Sequence, residues 1–68
     1  MKEFQCKGSS VTFTDMAGFM VVYFPKGGES VSYTYATKNE ALLKYYKTAR
    51  GLAANAYKAF DKEVNKLN

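Results

Sequence analysis

Val31-Ser32-Tyr33-Thr34-Tyr35-Ala36-Thr37-Lys38-Asn39-Glu40-Ala41-Leu42 changes its hydrophobic period partway along. Up to Ala36 the side chains alternate, Val31, Tyr33 and Tyr35 against Ser32, Thr34 and Ala36, as in a strand with one buried face. Thr37-Lys38-Asn39-Glu40 then matches a capping box, in which a threonine oxygen takes the N3 amide and the glutamate reaches back. Strands are expected before this point and a helix after it.

Upstream, Lys2 to Lys7 alternates weakly, with Phe4 and Cys6 on one side, and Gly8-Ser9-Ser10 is a turn cluster. Val11 and Phe13 alternate with Thr12 and Thr14, and Asp15-Met16-Ala17-Gly18 has the composition of a hairpin loop. Phe19 to Phe24 is β-branched and aromatic throughout. Pro25-Lys26-Gly27-Gly28 ends it, because proline cannot donate to a ladder and glycine permits a tight reversal. The pattern predicts an antiparallel meander of three or four strands over residues 1–37. Downstream, Leu42, Tyr45, Ala49, Leu52, Ala53, Ala56, Phe60, Val64 and Leu67 recur at three- and four-residue steps, one face of a helix over 38–67. Gly51 costs about 1 kcal/mol relative to alanine inside a helix. The apolar stripe passes it in phase, so one continuous helix is expected, with a kink at Gly51 as the alternative. The fold class is α+β, order ββββα, in a single small domain spanning residues 1–68.

Two mismatches in this plan imply a partner. A helix over 38–67 would run about 45 Å, whereas strands of six residues span about 20 Å. Phe60, Val64 and Leu67 would stand in water unless the helix bends back or another chain covers them, with Tyr45, Tyr46 and Tyr57 on the helix flanks as a rim whose rings pack and whose hydroxyls stay wet. In the sheet, Phe19 to Phe24 is apolar on both faces although one helix covers only one. Met20, Val22 and Phe24 should lie on an open face beside Thr12, Thr14, Ser32 and Thr34. These seven residues, Met20, Val22, Phe24, Tyr46, Tyr57, Phe60 and Val64, form the expected partner interface, and a homodimer would satisfy both mismatches.

Composition narrows the chemistry. The chain has 68 residues, one cysteine and no histidine. An internal disulfide is excluded and a structural zinc site is not expected, since one thiol cannot hold the ion. A lone cysteine suits a reducing compartment, the cytoplasm, and Cys6 reads as a small buried hydrophobe. The N-terminus lacks the apolar region of a signal peptide, and the longest apolar run, Phe19 to Pro25, is too short to cross a bilayer. Without an imidazole base, and with carboxylates scattered, no catalytic residue, cofactor, metal or small-molecule substrate is expected. Lys26-Gly27-Gly28 lacks the spacing of a phosphate loop.

Residues 1–37 are charge-balanced, so the whole net charge of +4 belongs to 38–68. On the predicted helix, Lys44, Lys47, Gly51, Asn55, Lys58 and Lys62 fall in one row opposite the apolar stripe, flanked by Arg50 and Lys66. Lys44, Lys47, Arg50, Lys58, Lys62 and Lys66 are the candidate binding residues, spaced for successive phosphates and positioning a nucleic acid without reading its sequence. The same lysines also suit an ordinary solvated helix face.

Phe24-x-x-Gly27, then Tyr33-x-Tyr35, a helix soon after, and Gly51 followed by Asn55 resemble the KTSC domain over residues 19–56. The proline that usually opens the KTSC helix is missing here, as are the aromatics after its glycine. That family is a small module found alone or attached to lysyl-tRNA synthetases. The resemblance implies a non-catalytic accessory module near RNA and assigns no binding residue. Two functions are therefore expected. One is a small basic module that contacts nucleic acid or a nucleoprotein complex through the lysine row. The other is a protein-binding inhibitor or accessory protein of phage or mobile-element type, acting on a host complex through its sheet face or helix.

Overall fold

The computed structural model describes residues 1–53 and 57–67. Four strands, β1 (Lys2–Cys6), β2 (Ser9–Thr14), β3 (Phe19–Phe24) and β4 (Val31–Tyr35), form an antiparallel meander in the order β1-β2-β3-β4. Helices α1 (Lys38–Leu52) and α2 (Tyr57–Leu67) follow. The α+β class and the strand sequence agree with the expectation.

Short local signals make the turns. Lys7 (φ 52°) and Gly8 (φ 87°) form the two-residue turn between β1 and β2, so Ser9 and Ser10 belong to β2 rather than to the turn. After β3, the Gly28 amide donates to the Pro25 carbonyl at 3.3 Å, with Gly27 at the third turn position and φ 72°, where a side chain would be strained. At the start of α1, the Glu40 amide donates to Thr37 Oγ1 at 3.3 Å, as the capping box requires. The glutamate returns to the threonine hydroxyl, which donates to Glu40 Oε1 at 2.8 Å.

Ladder register places Phe4, Val11, Phe13, Phe19, Val21, Tyr33 and Tyr35 on one face of the sheet. Helix α1 lies on that face. Its Ala41, Tyr45 and Ala49 are buried with Val11, Phe13 and Val21, forming the core, and the small alanines let the helix backbone approach the strands.

The C-terminal helix differs from the expectation. It is not one rod over 38–67. Helix α1 ends at Leu52, and Ala53 leaves helical geometry at φ −94°, ψ 75°, its amide still donating to the Ala49 carbonyl at 2.9 Å. Asn55 and Ala56, assigned above to the basic row and the apolar stripe, lie outside the described residues. The longest extent of the Cα trace is 29 Å, shorter than the expected rod. The physical reason is burial: a straight helix would carry Phe60 and Val64 past the sheet. Doubling back removes them from water, worth about 1.5–3 kcal/mol for a fully buried large apolar side chain. An interrupted backbone hydrogen bond costs about 0.5–1.5 kcal/mol. Val64 is 2 % exposed, and Phe60 meets Phe4 of β1 edge-on, with ring centroids 4.8 Å apart. Arg50 and Asp61 join the helices through a 2.7 Å ion pair.

Gly51 is not the break. It lies inside α1, and a Cβ added there would meet nothing within 4 Å. Gly51→Ala is expected to raise stability by about 0.5–1 kcal/mol through helix propensity and a less disordered unfolded chain. A thermal melt would show this as a midpoint a few degrees higher; an unchanged or lower midpoint would mean that residue 51 is not in a relaxed helical conformation.

Candidate interaction site

The other face of the sheet carries no helix. Its rows, read across the strands, are Gln5, Ser10 and Phe24; Glu3, Thr12, Val22 and Ser32; and Thr14, Met20 and Thr34. Among the described residues, none from this face enters the core cluster. Met20 and Val22 are half-buried, and Phe24 is 44 % exposed. The three form an apolar ridge along β3, flanked by the small hydroxylated side chains of β2 and β4. Glu3 is the single charged residue in these rows, and no cation stands among them.

The remaining residues of the expected interface are placed otherwise. Val64 is inside the molecule and Phe60 is half-buried against Phe4. Tyr46 packs edge-on against Tyr45, with centroids 5.1 Å apart, and lies 6.3 Å from Phe60. The Lys2 ammonium stands 6.0 Å from the centre of the Tyr46 ring. Tyr57 is 46 % exposed. The overhanging stripe that pointed to a partner on the helix is therefore absent: Val64 is buried, and Phe60 packs against Phe4 of β1.

The basic row is divided. Lys44, Lys47 and Arg50 are on α1, and Lys58, Lys62 and Lys66 are on α2, separated by the break. Arg50 is held by Asp61, and the Lys66 ammonium lies 3.6 Å from Glu63. The Lys44 ammonium sits 4.3 Å from the centre of the Tyr33 ring, a cation–π contact. Lys47, Lys58 and Lys62 are exposed and, among the described residues, have no carboxylate within ion-pair distance.

Alongside β4 lies a feature the sequence did not disclose. Tyr35, Glu40, Leu43, Lys44 and Lys47 line a shallow cleft of about 270 Å³ between the end of the strand and the first turns of α1. Burial holds the Tyr35 phenol above its ordinary pKa, with smaller contributions from Tyr33 and Glu40. Tyr45 is raised likewise, first by burial and then by Tyr46 and Glu3. Leu43 was the available signal, an apolar residue one step off the stripe of Leu42 and Tyr45.

Among the described residues, no group of three or more histidine, cysteine, aspartate or glutamate side chains comes together as a metal site. No described helix is long and apolar enough to cross a membrane. No protein-family model, curated protein or solved structure matches the chain.

Proposed function

We propose that the chain is a non-catalytic binding module that docks another protein on its open sheet face. The observation that carries this reading is the uncovered ridge of Met20, Val22 and Phe24 on a face whose one charge is Glu3. A strand apolar on both sides is ordinarily covered on both sides. Rows without a cation offer little to a phosphate backbone, whose binding depends on lysine and arginine. A neutral apolar surface of another protein fits it. The reading accords with the accessory role that the KTSC-like residues imply, and an inhibitor of a larger complex is one form it would take.

A second flat copy is a poorer occupant than a contoured partner. Four strands about 4.8 Å apart and about 17 Å long give a flat face of roughly 300 Å² in projection, so a stable interface needs a partner that also reaches past its rim. A homodimer through this face alone is expected to be weak.

The nucleic-acid reading keeps one supporting observation, the three exposed lysines Lys47, Lys58 and Lys62. One experiment separates the two. Wild type, Val22→Ser and a Lys47, Lys58, Lys62→Gln triple variant are immobilised and exposed to lysate with and without nuclease, with circular dichroism checking each fold. The expected result is nuclease-resistant capture of a defined protein that falls at least about tenfold in Val22→Ser, a loss of the size seen when a central apolar contact is removed, and persists in the triple variant. Capture that vanishes with nuclease, or with the lysines, would move the function to nucleic acid. Unfolding of Val22→Ser would make that face part of the core.

A further inference from the structure

We infer that the outer edge of β4, together with the cleft beside α1, is a docking site for an extended acidic segment of another protein, which adds to the sheet as a fifth strand. The inference concerns a different surface from the open face and stands whether or not that face is occupied.

Strand β4 pairs on one side with β3 and ends the sheet on the other. In an antiparallel ladder, alternate residues of an edge strand turn their amide and carbonyl groups outward. Among the described residues, no hydrogen bond reaches the outward side of Val31–Tyr35. Natural edges are normally blunted by charges, proline or a bulge. The opposite edge, β1, carries Lys2 and Glu3. β4, Val31-Ser32-Tyr33-Thr34-Tyr35, has no charge and no proline, and it pairs in unbroken register with β3 from Val31 to Tyr35. It is the edge left able to accept a strand.

The surroundings specify the occupant. A strand added to β4 turns every second side chain toward the helix side of the sheet, where the Tyr33–Tyr35 row and α1 stand. There it meets an apolar wall, Leu43 and the Tyr35 ring, and two ammoniums. Lys44 is held above the Tyr33 ring, over the middle of the edge strand, and Lys47 follows one helical turn later. The carboxylate in the cleft, Glu40, is engaged by the Thr37 hydroxyl at 2.8 Å. Glu29, in the turn before β4, is exposed. The cleft thus sets two ammoniums against one carboxylate, a net positive charge, and it suits a segment that alternates acidic and aliphatic residues. This is strand addition, in which main-chain bonds give affinity and pockets for alternate side chains give selectivity. A second copy of this chain fits less well. Pairing β4 with itself brings two Lys44 ammoniums to the same side of the joined sheet, and β4 supplies no carboxylate to meet them.

The test uses labelled hexapeptides in which valine alternates with glutamate or with lysine. Fluorescence polarisation measures binding, and hydrogen exchange follows the amides of residues 31–35. The glutamate peptide is expected to bind and to slow exchange at the outward amides of β4, with the lysine peptide at least about tenfold weaker, as several like-charge contacts at this cleft require. Lys47→Glu, at an exposed position, should weaken the glutamate peptide by about three- to tenfold and strengthen the lysine peptide. Equal binding of both peptides overturns the inference, as does binding without protection of β4. Amides of β4 already protected in the free protein, in a sample that sediments as a dimer, would assign the edge to a second copy. Binding of a labelled oligonucleotide that Lys47→Glu weakens, with neither peptide bound, would overturn the inference and assign the cleft to nucleic acid.

Discussion

Phe13→Ala is expected to remove about 3–5 kcal/mol of stability, the range for deleting a buried phenylalanine ring. A domain of this length has a total of about 3–10 kcal/mol, so the variant should give up a large share of it. The size follows from position. Phe13 is 2 % exposed, pairs with Val21 across the ladder and belongs to the cluster in which α1 sets Ala41, Tyr45 and Ala49. Alanine at 41 and 49 can neither reach into the space the ring leaves nor rotate to fill it, so little relaxation is available. Urea denaturation followed by far-ultraviolet circular dichroism measures the change. A loss below about 1 kcal/mol would mean that α1 does not lie on this face.

Val64→Asp is expected to detach α2 while leaving the sheet and α1 assembled. Val64 is 2 % exposed, and a carboxylate there would be buried without a designated partner, at a cost of several kcal/mol. The nearest escape is undocking. Helix α2 is eleven residues long, and an isolated helix of that length is marginal in water, so undocking should also unwind it. Hydrogen exchange over residues 57–67 should accelerate by at least about a hundredfold, whereas the amides of β2 and β3 keep most of their protection. Uniform acceleration throughout would mean that α2 is integral to one cooperative core. Unchanged exchange would place Val64 at the surface, where the overhanging rod would have put it.

The strands were legible because each carries its own signal. Alternation in Val11–Thr14 and Val31–Tyr35 specified the buried face, and register follows once Lys7-Gly8 and Pro25–Gly28 make their turns. The capping box at Thr37 was legible for the same reason: it is local. The helix break was not, because periodicity reports which side of a helix is apolar and says nothing of where the helix stops. Phe60 and Val64 stay in phase with Tyr45 and Ala49 although they lie on a different helix. What decides the break is the size of the sheet, a property of the whole assembly rather than of any window of sequence. Gly51 drew attention as the weakest helix former, yet the chain leaves the helix at Ala53, a residue with high helix propensity.

The interaction surfaces divide along the same line. The open face could be read from β3 alone, since Met20, Val22 and Phe24 alternate with residues committed to the core. The lysine row could not be read correctly, because its unity required an unbroken helix. Arg50 meets Asp61 across the interhelical contact, a pairing eleven residues apart that no helical spacing anticipates. The cleft beside β4 depends on how α1 leans over the edge strand, and only Leu43 hinted at it.

The junction of Phe4 with Phe60 also bears on the order of assembly. The meander forms between neighbours in the chain, joined by short loops, whereas this contact closes a loop of more than fifty residues and carries the larger entropic penalty. The first strand is therefore the last element to receive its cover, and the clasp should be open in the folding transition state. Weakening it at Phe60 should hasten unfolding and leave the folding rate nearly unchanged. The lifetime of the native state, more than the speed of reaching it, is expected to respond to these two rings, far apart in the sequence.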